Sequence, residues 1–107
     1  MARINPFDGT SSFVGSPYSS ILNSAGYDVT TNLIYALDTV TADLIRIDAL
    51  GNFVPVGMLP RELNSEAADF DTSGVMFFHE NNQLVSLLPD APTVLTCLLY
   101  TSDAADE

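Results

Sequence analysis

The chain contains no lysine and no tryptophan, and it has a single histidine and a single cysteine. Its three arginines face 14 aspartates and glutamates, so the formal net charge at pH 7 is −11. Nucleic acids and anionic membrane surfaces are bound through basic patches, and this charge balance argues against both as partners. One cysteine cannot form an internal disulfide.

Long hydrophobic runs are also missing. No run approaches the roughly 18 apolar residues that a membrane-spanning helix needs, so we expect no membrane insertion. The first six residues do not open a signal peptide, which has a basic start followed by about 7–15 apolar residues. Hydrophobic residues nevertheless make up 47% of the chain, which is too many for a disordered segment. We therefore expect one small folded domain or part of a larger one.

The last eleven residues, 97–107, read as a translated sequencing adapter. Back-translated with permitted codons, they resemble the transposase mosaic-end adapter that is used to prepare DNA libraries. We interpret them as a non-native, disordered tail, and we expect the natural sequence to continue past Thr96. The alternative is a mobile acidic C-terminal tail. Without this segment, which includes Cys97, the chain has eleven acidic residues and three arginines, and its net charge is −8.

Residues 1–96 contain an internal repeat. Residues 25–35 align with residues 67–77 at an offset of 42 without gaps, and residues 3–5 align with residues 46–48 at an offset of 43. Helical repeats of this length would show a 3.6-residue periodicity, which is not visible here. A period near 42 residues filled with short strands is typical of β-propeller blades, which span ~40–50 residues.

The strand patterns within one repeat predict the order of its strands. Residues 33–37 are almost continuously apolar, as expected for a strand buried on both faces. Residues 44–48 alternate between apolar and polar, so this strand lies further out. Pro55 cannot donate to a strand ladder, which makes residues 53–56 the outermost strand. Residues that tolerate tight backbone turns are concentrated at positions 8–9, 28–32, 39–43, 51–52, 71–74 and 80–83.

These patterns predict an all-β fold, a fragment of a β-propeller with about two partial or complete four-stranded antiparallel blades. The expected blade boundaries lie at about residues 1–24, 25–66 and 67–96, followed by the tail at 97–107. Propellers close ~4–8 blades into a ring, so an isolated slice would leave blade faces uncovered and is expected to be marginally stable or prone to aggregate. The alternative is a small independent β-sandwich, which would make the repeat accidental.

The repeat also supports a family resemblance. The residues that carry it are 26–28, 33–38, 44–52, 57 and 68–71. They match a blade pattern written G-Y-x … I-Y-A-[IL]-D … L-[IV]-R-I-D … G-N. On this pattern the chain resembles an uncharacterised β-propeller-like domain of bacterial secreted and cell-surface proteins. The resemblance implies an extracellular or cell-surface structural or binding module, with a protein or glycan partner of unknown identity and no catalytic residue to carry over.

Three groups of residues are candidates for chemistry. Residues 70–74 resemble the F-D-T-G-S loop of aspartic proteases with Ser73 and Gly74 reversed, but that catalysis needs two aspartates that share a proton, so a hairpin turn is the better interpretation. His79 is the sole histidine, and a residue at a strand end is favoured over a general base or metal ligand. The acids that offer oxygen ligands for calcium are Asp28, Asp38, Asp48, Asp69 and Asp71. Their spacing is not that of a calcium loop, so solvated turn residues are favoured.

We therefore assign no catalytic, cofactor-binding or metal-binding residue. The aromatic residues expected in the blade core or between blades are Tyr27, Tyr35, Phe70, Phe77 and Phe78. The expected function is a non-enzymatic structural or interaction module of an exported bacterial protein. The alternative is part of a propeller enzyme, a lactonase or hydrolase, whose carboxylate and calcium site would lie in a missing part of the ring.

Overall fold

The computed structural model describes residues 1–99, which form ten β-strands and no helix. The strands are β1 (Ala2–Ile4), β2 (Ser11–Phe13), β3 (Leu22–Asp28), β4 (Leu33–Asp38), β5 (Asp43–Ile47), β6 (Phe53–Met58), β7 (Ser65–Phe70), β8 (Met76–Glu80), β9 (Gln83–Leu88) and β10 (Ala91–Leu99). The prediction of an all-β fold is confirmed.

All strand pairs are antiparallel, and within each sheet every pair joins strands that are adjacent in sequence. Strands β1 and β2 form a two-stranded ribbon around the predicted hairpin at residues 8–9. Strands β3 to β6 form a first four-stranded sheet in the order β3-β4-β5-β6, and β7 to β10 form a second sheet in the corresponding order. The predicted strands at 33–37, 44–48 and 53–56 are confirmed as β4, β5 and β6, with β6 at the sheet edge. The sheets do not close on one another.

The larger core lies between the two sheets. Successive residues of a strand point to opposite faces of a sheet. One face of the first sheet, called its front face, carries Tyr35, Leu37 and Leu44. It packs against the back face of the second sheet, which carries Met76, Phe78, Val85 and Leu87. Phe78, Leu44, Met76 and Val85 are completely buried, so this contact contains most of the large side chains that are shielded from solvent.

A smaller core covers the opposite face of the first sheet. This back face carries Ala36, Ile45 and Ile47, which are all buried. Met1 and Tyr18 pack against it from the segments on either side of the ribbon, and the Tyr18 ring lies 4.9 Å from that of Phe53. The first sheet is therefore covered on both faces, which explains the apolar sequence of β4.

Corresponding strands of the two sheets lie against each other, β3 against β7 and β6 against β10. Small residues permit this approach. A Cβ atom on Gly26 would stand 3.0 Å from Cδ1 of Phe70, and one on Gly57 would stand 2.5 Å from Cγ of Pro92. A buried hydrogen bond of 2.7 Å from the Ser24 hydroxyl to the Ser65 carbonyl oxygen also links β3 and β7, the first strands of the two sheets.

Two expected boundaries differ from the structure. The blade boundaries placed at residues 25 and 67 fall inside strands, because β3 begins at Leu22 and β7 at Ser65. The expectation of a disordered tail is wrong for residues 97–99, which continue β10; Cys97 pairs with Val85 of β9. Pairing of this kind uses only backbone groups and removes an open edge from β9, so it does not depend on the side chains. Residues 100–107 of the expected tail lie outside the described residues.

The gap-free alignment of residues 25–35 with 67–77 is one residue out of register in its first strand. Tyr35 is aligned with Phe77 at the offset of 42. Tyr35 pairs with Gly26, but Phe77 pairs with Asp69, which lies one residue beyond the position aligned with Gly26. The shift arises in the hairpin turn that follows. Four residues separate the paired Asp28 and Leu33, whereas three separate the hydrogen-bonded Asp71 and Val75. Asp28 therefore corresponds to Asp71 in the structure.

Candidate interaction surface

The front face of the second sheet is the main uncovered surface of the two sheets. It carries Phe77, His79, Leu84, Ser86 and Leu88, which alternate with the buried residues of the back face. The pairs Phe77–Ser86 and His79–Leu84 occupy the places of Tyr35–Arg46 and Leu37–Leu44 in the first sheet. In the first sheet, Tyr35, Leu37 and Leu44 are covered by the second sheet.

Two shallow grooves cross this front face. One groove, of about 200 Å³, lies beside β7, the first strand of the second sheet. It is lined by Ala67, Ala68, Asp69, Phe77, His79 and Leu84. The other, of about 180 Å³, lies beside the last strand and includes Leu88, which is 51% exposed, and Val94, which is 62% exposed. Both grooves are mainly apolar and open to solvent, a character typical of surfaces that contact another protein segment.

A second uncovered apolar surface lies on the ribbon. Pairing places Ala2 opposite Phe13 and Ile4 opposite Ser11, so Ala2, Ile4 and Phe13 share one face. Ile4 is 67% exposed and Phe13 is 89% exposed. We call this the apolar face of the ribbon. A two-stranded ribbon of this size buries too little surface to be stable alone, so its apolar face is the kind that packs against another element.

The candidate calcium ligands Asp28 and Asp48 are turn residues, as the favoured interpretation predicts, although Asp28 is buried rather than solvated. Oδ1 of Asp28 accepts hydrogen bonds from the Thr30 amide at 2.9 Å and the Thr30 hydroxyl at 2.7 Å. Burial favours the neutral form of Asp28, but the hydrogen bonds from Thr30 and Thr31 outweigh it and lower the pKa of this carboxyl. Asp48 accepts from the amides of Leu50 and Asn52. These bonds stabilise tight turns.

The protease-like segment at residues 70–74 is also a turn. Oδ1 of Asp71 accepts hydrogen bonds of 2.9 Å from the amides of Ser73 and Val75, and Gly74 adopts a φ of +86°. Asp69, on β7, and His79, on β8, both line the groove beside the first strand. Among residues 1–99, no three His, Cys, Asp or Glu side chains lie close enough together to hold a metal ion.

Asp38 anchors the segment that enters the first sheet. Its Oδ2 accepts a hydrogen bond of 2.7 Å from the Tyr18 hydroxyl, and its Oδ1 accepts bonds from Ser20, Val40 and Thr41. Burial favours the neutral form, but these hydrogen bonds prevail and lower the pKa of Asp38 to about 2. Burial and the Asp38 carboxylate raise the pKa of Tyr18 to about 12.

Glu80 anchors the segment that enters the second sheet. Its two carboxylate oxygens accept hydrogen bonds of 2.8 and 3.0 Å from the Arg61 guanidinium, and the Asn64 amide donates to Oε2 at 2.7 Å. Arg61 lowers the pKa of Glu80 despite the partial burial of the carboxyl group. Sequence reasoning missed this pair. The sequence signal that could have indicated Glu80 is its offset of 42 residues from Asp38. These two carboxylates are the last residues of β8 and β4.

The aromatic predictions are confirmed for Tyr35 and Phe78, which are 5% and 0% exposed. Phe70 lies between the sheets, with its ring 5.5 Å from that of Tyr35. Phe77 is only half-buried because it lies on the uncovered front face. The prediction is wrong for Tyr27, which is 48% exposed and donates a hydrogen bond to Oδ1 of Asn32.

Comparison with known proteins identifies no relative. No protein-family model matches the chain, and neither a curated protein nor a solved structure matches it significantly. The resemblance to propeller-like domains therefore stays a prediction. The described residues also include no helix with the length and apolarity that crossing a membrane requires.

Proposed function

We propose that this chain is a slice of a β-propeller-like stack and serves as a non-enzymatic structural or interaction module of an exported bacterial protein. The observation that carries the proposal is the packing of two like sheets in the same orientation. The front face of the first sheet contacts the back face of the second, and like strands meet, β3 with β7 and β6 with β10. Repeats that stack in this way present a new front face after each sheet.

Local features that recur in both sheets support their origin as repeats. The pairing of the first two strands shifts register once in each sheet, between Asn23 and Gly26 and between Ser65 and Ala67. The second strand ends in a buried carboxylate, Asp38 or Glu80, which binds the segment leading into that sheet. An independent β-sandwich has no need for the same devices at the same places in its two sheets.

The ribbon corresponds to half of a further repeated sheet, which would precede the first sheet in the stack. In the ribbon, Ile4 pairs with Ser11, and in the outer half of the first sheet, Ile47 pairs with Phe53. Residues 3–5 also align in sequence with residues 46–48. The ribbon thus corresponds to the third and fourth strands of a preceding sheet, and its apolar face corresponds to a back face.

The bonding of the acidic side chains supports a structural role over an enzymatic one. Four aspartates accept hydrogen bonds from amides and hydroxyls of their own turns, as in Asx turns generally. They are Asp28, Asp38, Asp48 and Asp71. A carboxylate that accepts several bonds from its own turn is a poor general base. The export of the protein, and a protein or glycan as partner, are inferred from the resemblance of its blade pattern alone.

Duplication of one sheet tests the stacking. In a chain that carries residues 22–64 twice in tandem, the one extra sheet packs between the front face of the sheet before it and the back face of the sheet after it. Arg61 of the first copy would then meet Asp38 of the second, which preserves the anchoring of the entering segment. We expect one cooperative unfolding transition with a midpoint above that of the original chain.

The matched control carries Tyr35→Asp in the inserted sheet alone. This change places a charge in the contact between sheets and should lower the midpoint of the longer chain. An inserted segment that is digested by protease while the remainder survives would refute the stacked-repeat proposal. Hydrolysis of lactone or ester substrates that depends on added calcium would refute the non-enzymatic role.

A further inference from the structure

The two uncovered apolar surfaces correspond to the two halves of one kind of interface. Inside the molecule, the back face of the second sheet covers the front face of the first. Within residues 1–99 nothing covers the front face of the second sheet in this way, and its residues Leu88 and Val94 are 51% and 62% exposed. The ribbon presents the equivalent of a back face, and its Ile4 and Phe13 are 67% and 89% exposed.

We infer that the apolar face of the ribbon of one copy docks on the front face of the second sheet of another copy. This self-association rests on the stacked-repeat function proposed above. It extends the contact already present between the two sheets, with a second copy in place of the next sheet. The interface is heterologous, because it joins different surfaces of the two partners, and such contacts build rings or open chains.

The correspondence also fixes where the ribbon sits. The ribbon matches the third and fourth strands of a sheet, and within the molecule the outer strand β6 lies against the outer strand β10. The ribbon of a second copy should therefore lie over the outer half of the front face, across β9 and β10. The groove of about 180 Å³ that includes Leu88 and Val94 lies there and accommodates an apolar side chain such as Phe13.

The size of the ribbon sets the expected strength of association. Three-residue strands cover only part of a four-stranded sheet, so the contact falls in the class of small, transient interfaces. We expect a dissociation constant between about 10 µM and about 1 mM. The assembly should be visible by sedimentation velocity of the full chain over that range of concentrations.

Two variants separate this interface from pairing of two ribbons or of two front faces. Phe13→Asp alters the ribbon and leaves the front face intact, whereas Leu88→Asp alters the front face and leaves the ribbon intact. Each variant alone should bind itself at least about tenfold more weakly than the original chain, because a charge would be buried in the contact. An equimolar mixture should form a heterodimer and nothing larger, because one intact ribbon then meets one intact front face.

The control is Val40→Asp in the turn between β4 and β5, where the side chain is 63% exposed and lies on neither surface. It should associate as the original chain does, and far-ultraviolet circular dichroism should show the same strand content in all three variants. A monomer at about 1 mM, association that survives Leu88→Asp, or a mixture that stays monomeric would each overturn the inference. These results leave the duplication experiment untouched, so the two proposals fail separately.

Discussion

The Tyr18 hydroxyl donates a hydrogen bond of 2.7 Å to the Asp38 carboxylate, and the two residues are separated by 20 positions in the chain. The bond joins the segment before β3 to the end of β4, so the entry and the second strand of the first sheet are held together. Arg61 and Glu80, which are 19 positions apart, make the corresponding connection in the second sheet. Each sheet therefore carries its own polar anchor for the chain that enters it.

Replacing Tyr18 with phenylalanine should lower the free energy of unfolding by about 1.5 kcal/mol, because a hydrogen bond to a charged acceptor is lost while the ring packing against Phe53 is kept. Urea denaturation followed by circular dichroism measures the change. Tyr27→Phe is the matched control. Its hydroxyl also donates a hydrogen bond, but the side chain is 48% exposed, so the effect should stay within about 0.5 kcal/mol. Equal effects of the two substitutions would contradict the anchoring role of Tyr18.

The stabilisation from Tyr18 should depend on pH. The pKa of Asp38 is about 2 in the folded chain and 3.8 for an ordinary aspartate. A carboxyl group whose pKa falls on folding stabilises the protein above its unfolded pKa, and this contribution disappears as the pH drops towards the folded value. The difference in stability between the original chain and Tyr18→Phe should thus be constant near neutral pH and shrink between pH 3.8 and about 2. A difference that stays the same at pH 2 would show that the bond to the carboxylate is not its source.

The strand order of the first sheet was predictable because its residues carry local signals. The continuous apolar run of β4 and the proline of β6 indicate a buried and an edge strand directly. The register of β7 was not predictable, since deletion of one turn residue leaves the apolar pattern almost unchanged while it shifts the strand. The Arg61–Glu80 pair was not predictable from the sequence for a related reason. A charged pair of this kind depends on two segments meeting in space, and no spacing rule links the two residues.

Disrupting the Arg61–Glu80 pair should destabilise the second sheet. Arg61→Gln leaves the Glu80 carboxylate, whose side chain is 9% exposed, with the Asn64 amide as its remaining donor in this group. A fully buried pair would lose 3–5 kcal/mol on removal of one partner, but the Arg61 side chain is 45% exposed, so we expect a loss of about 1–2 kcal/mol.

A double-mutant cycle with Glu80→Gln isolates the interaction between the two side chains. The free-energy loss of the double variant should be smaller than the sum of the two single losses. Arg3→Gln on the exposed ribbon is the control for removal of one positive charge, and it should change stability by less than about 0.5 kcal/mol. Strictly additive losses would mean that Arg61 acts through packing of its aliphatic part.

Gly26→Ala tests how closely the first strands of the two sheets must approach. The new methyl group would stand 3.0 Å from Cδ1 of Phe70, so that ring, which lies beside Tyr35, has to shift by a few tenths of an ångström. We expect a loss of about 1–2 kcal/mol, typical of overpacking. In a Phe70→Leu background the same substitution should be less harmful, because the smaller side chain leaves room for the methyl group. An undiminished loss in that background would place the strain in the backbone of β7.

Ala42→Gly should stabilise the protein. Ala42 lies between β4 and β5 with a φ of +63°, a left-handed conformation that costs an alanine about 1–2 kcal/mol and costs glycine little. The greater chain entropy of unfolded glycine offsets roughly 0.5–1 kcal/mol of this gain, so the net stabilisation lies between about 0 and 1.5 kcal/mol. Ala49→Gly, in a turn without a positive φ, lacks the first contribution and should instead lower the free energy of unfolding. Because the hydrogen bonds from the Ala42 amide to Asp38 and from the Leu59 amide to Ala42 use only backbone atoms, glycine retains both. A loss of stability in Ala42→Gly as large as that in Ala49→Gly would mean that the Ala42 methyl group contributes packing that outweighs its strain.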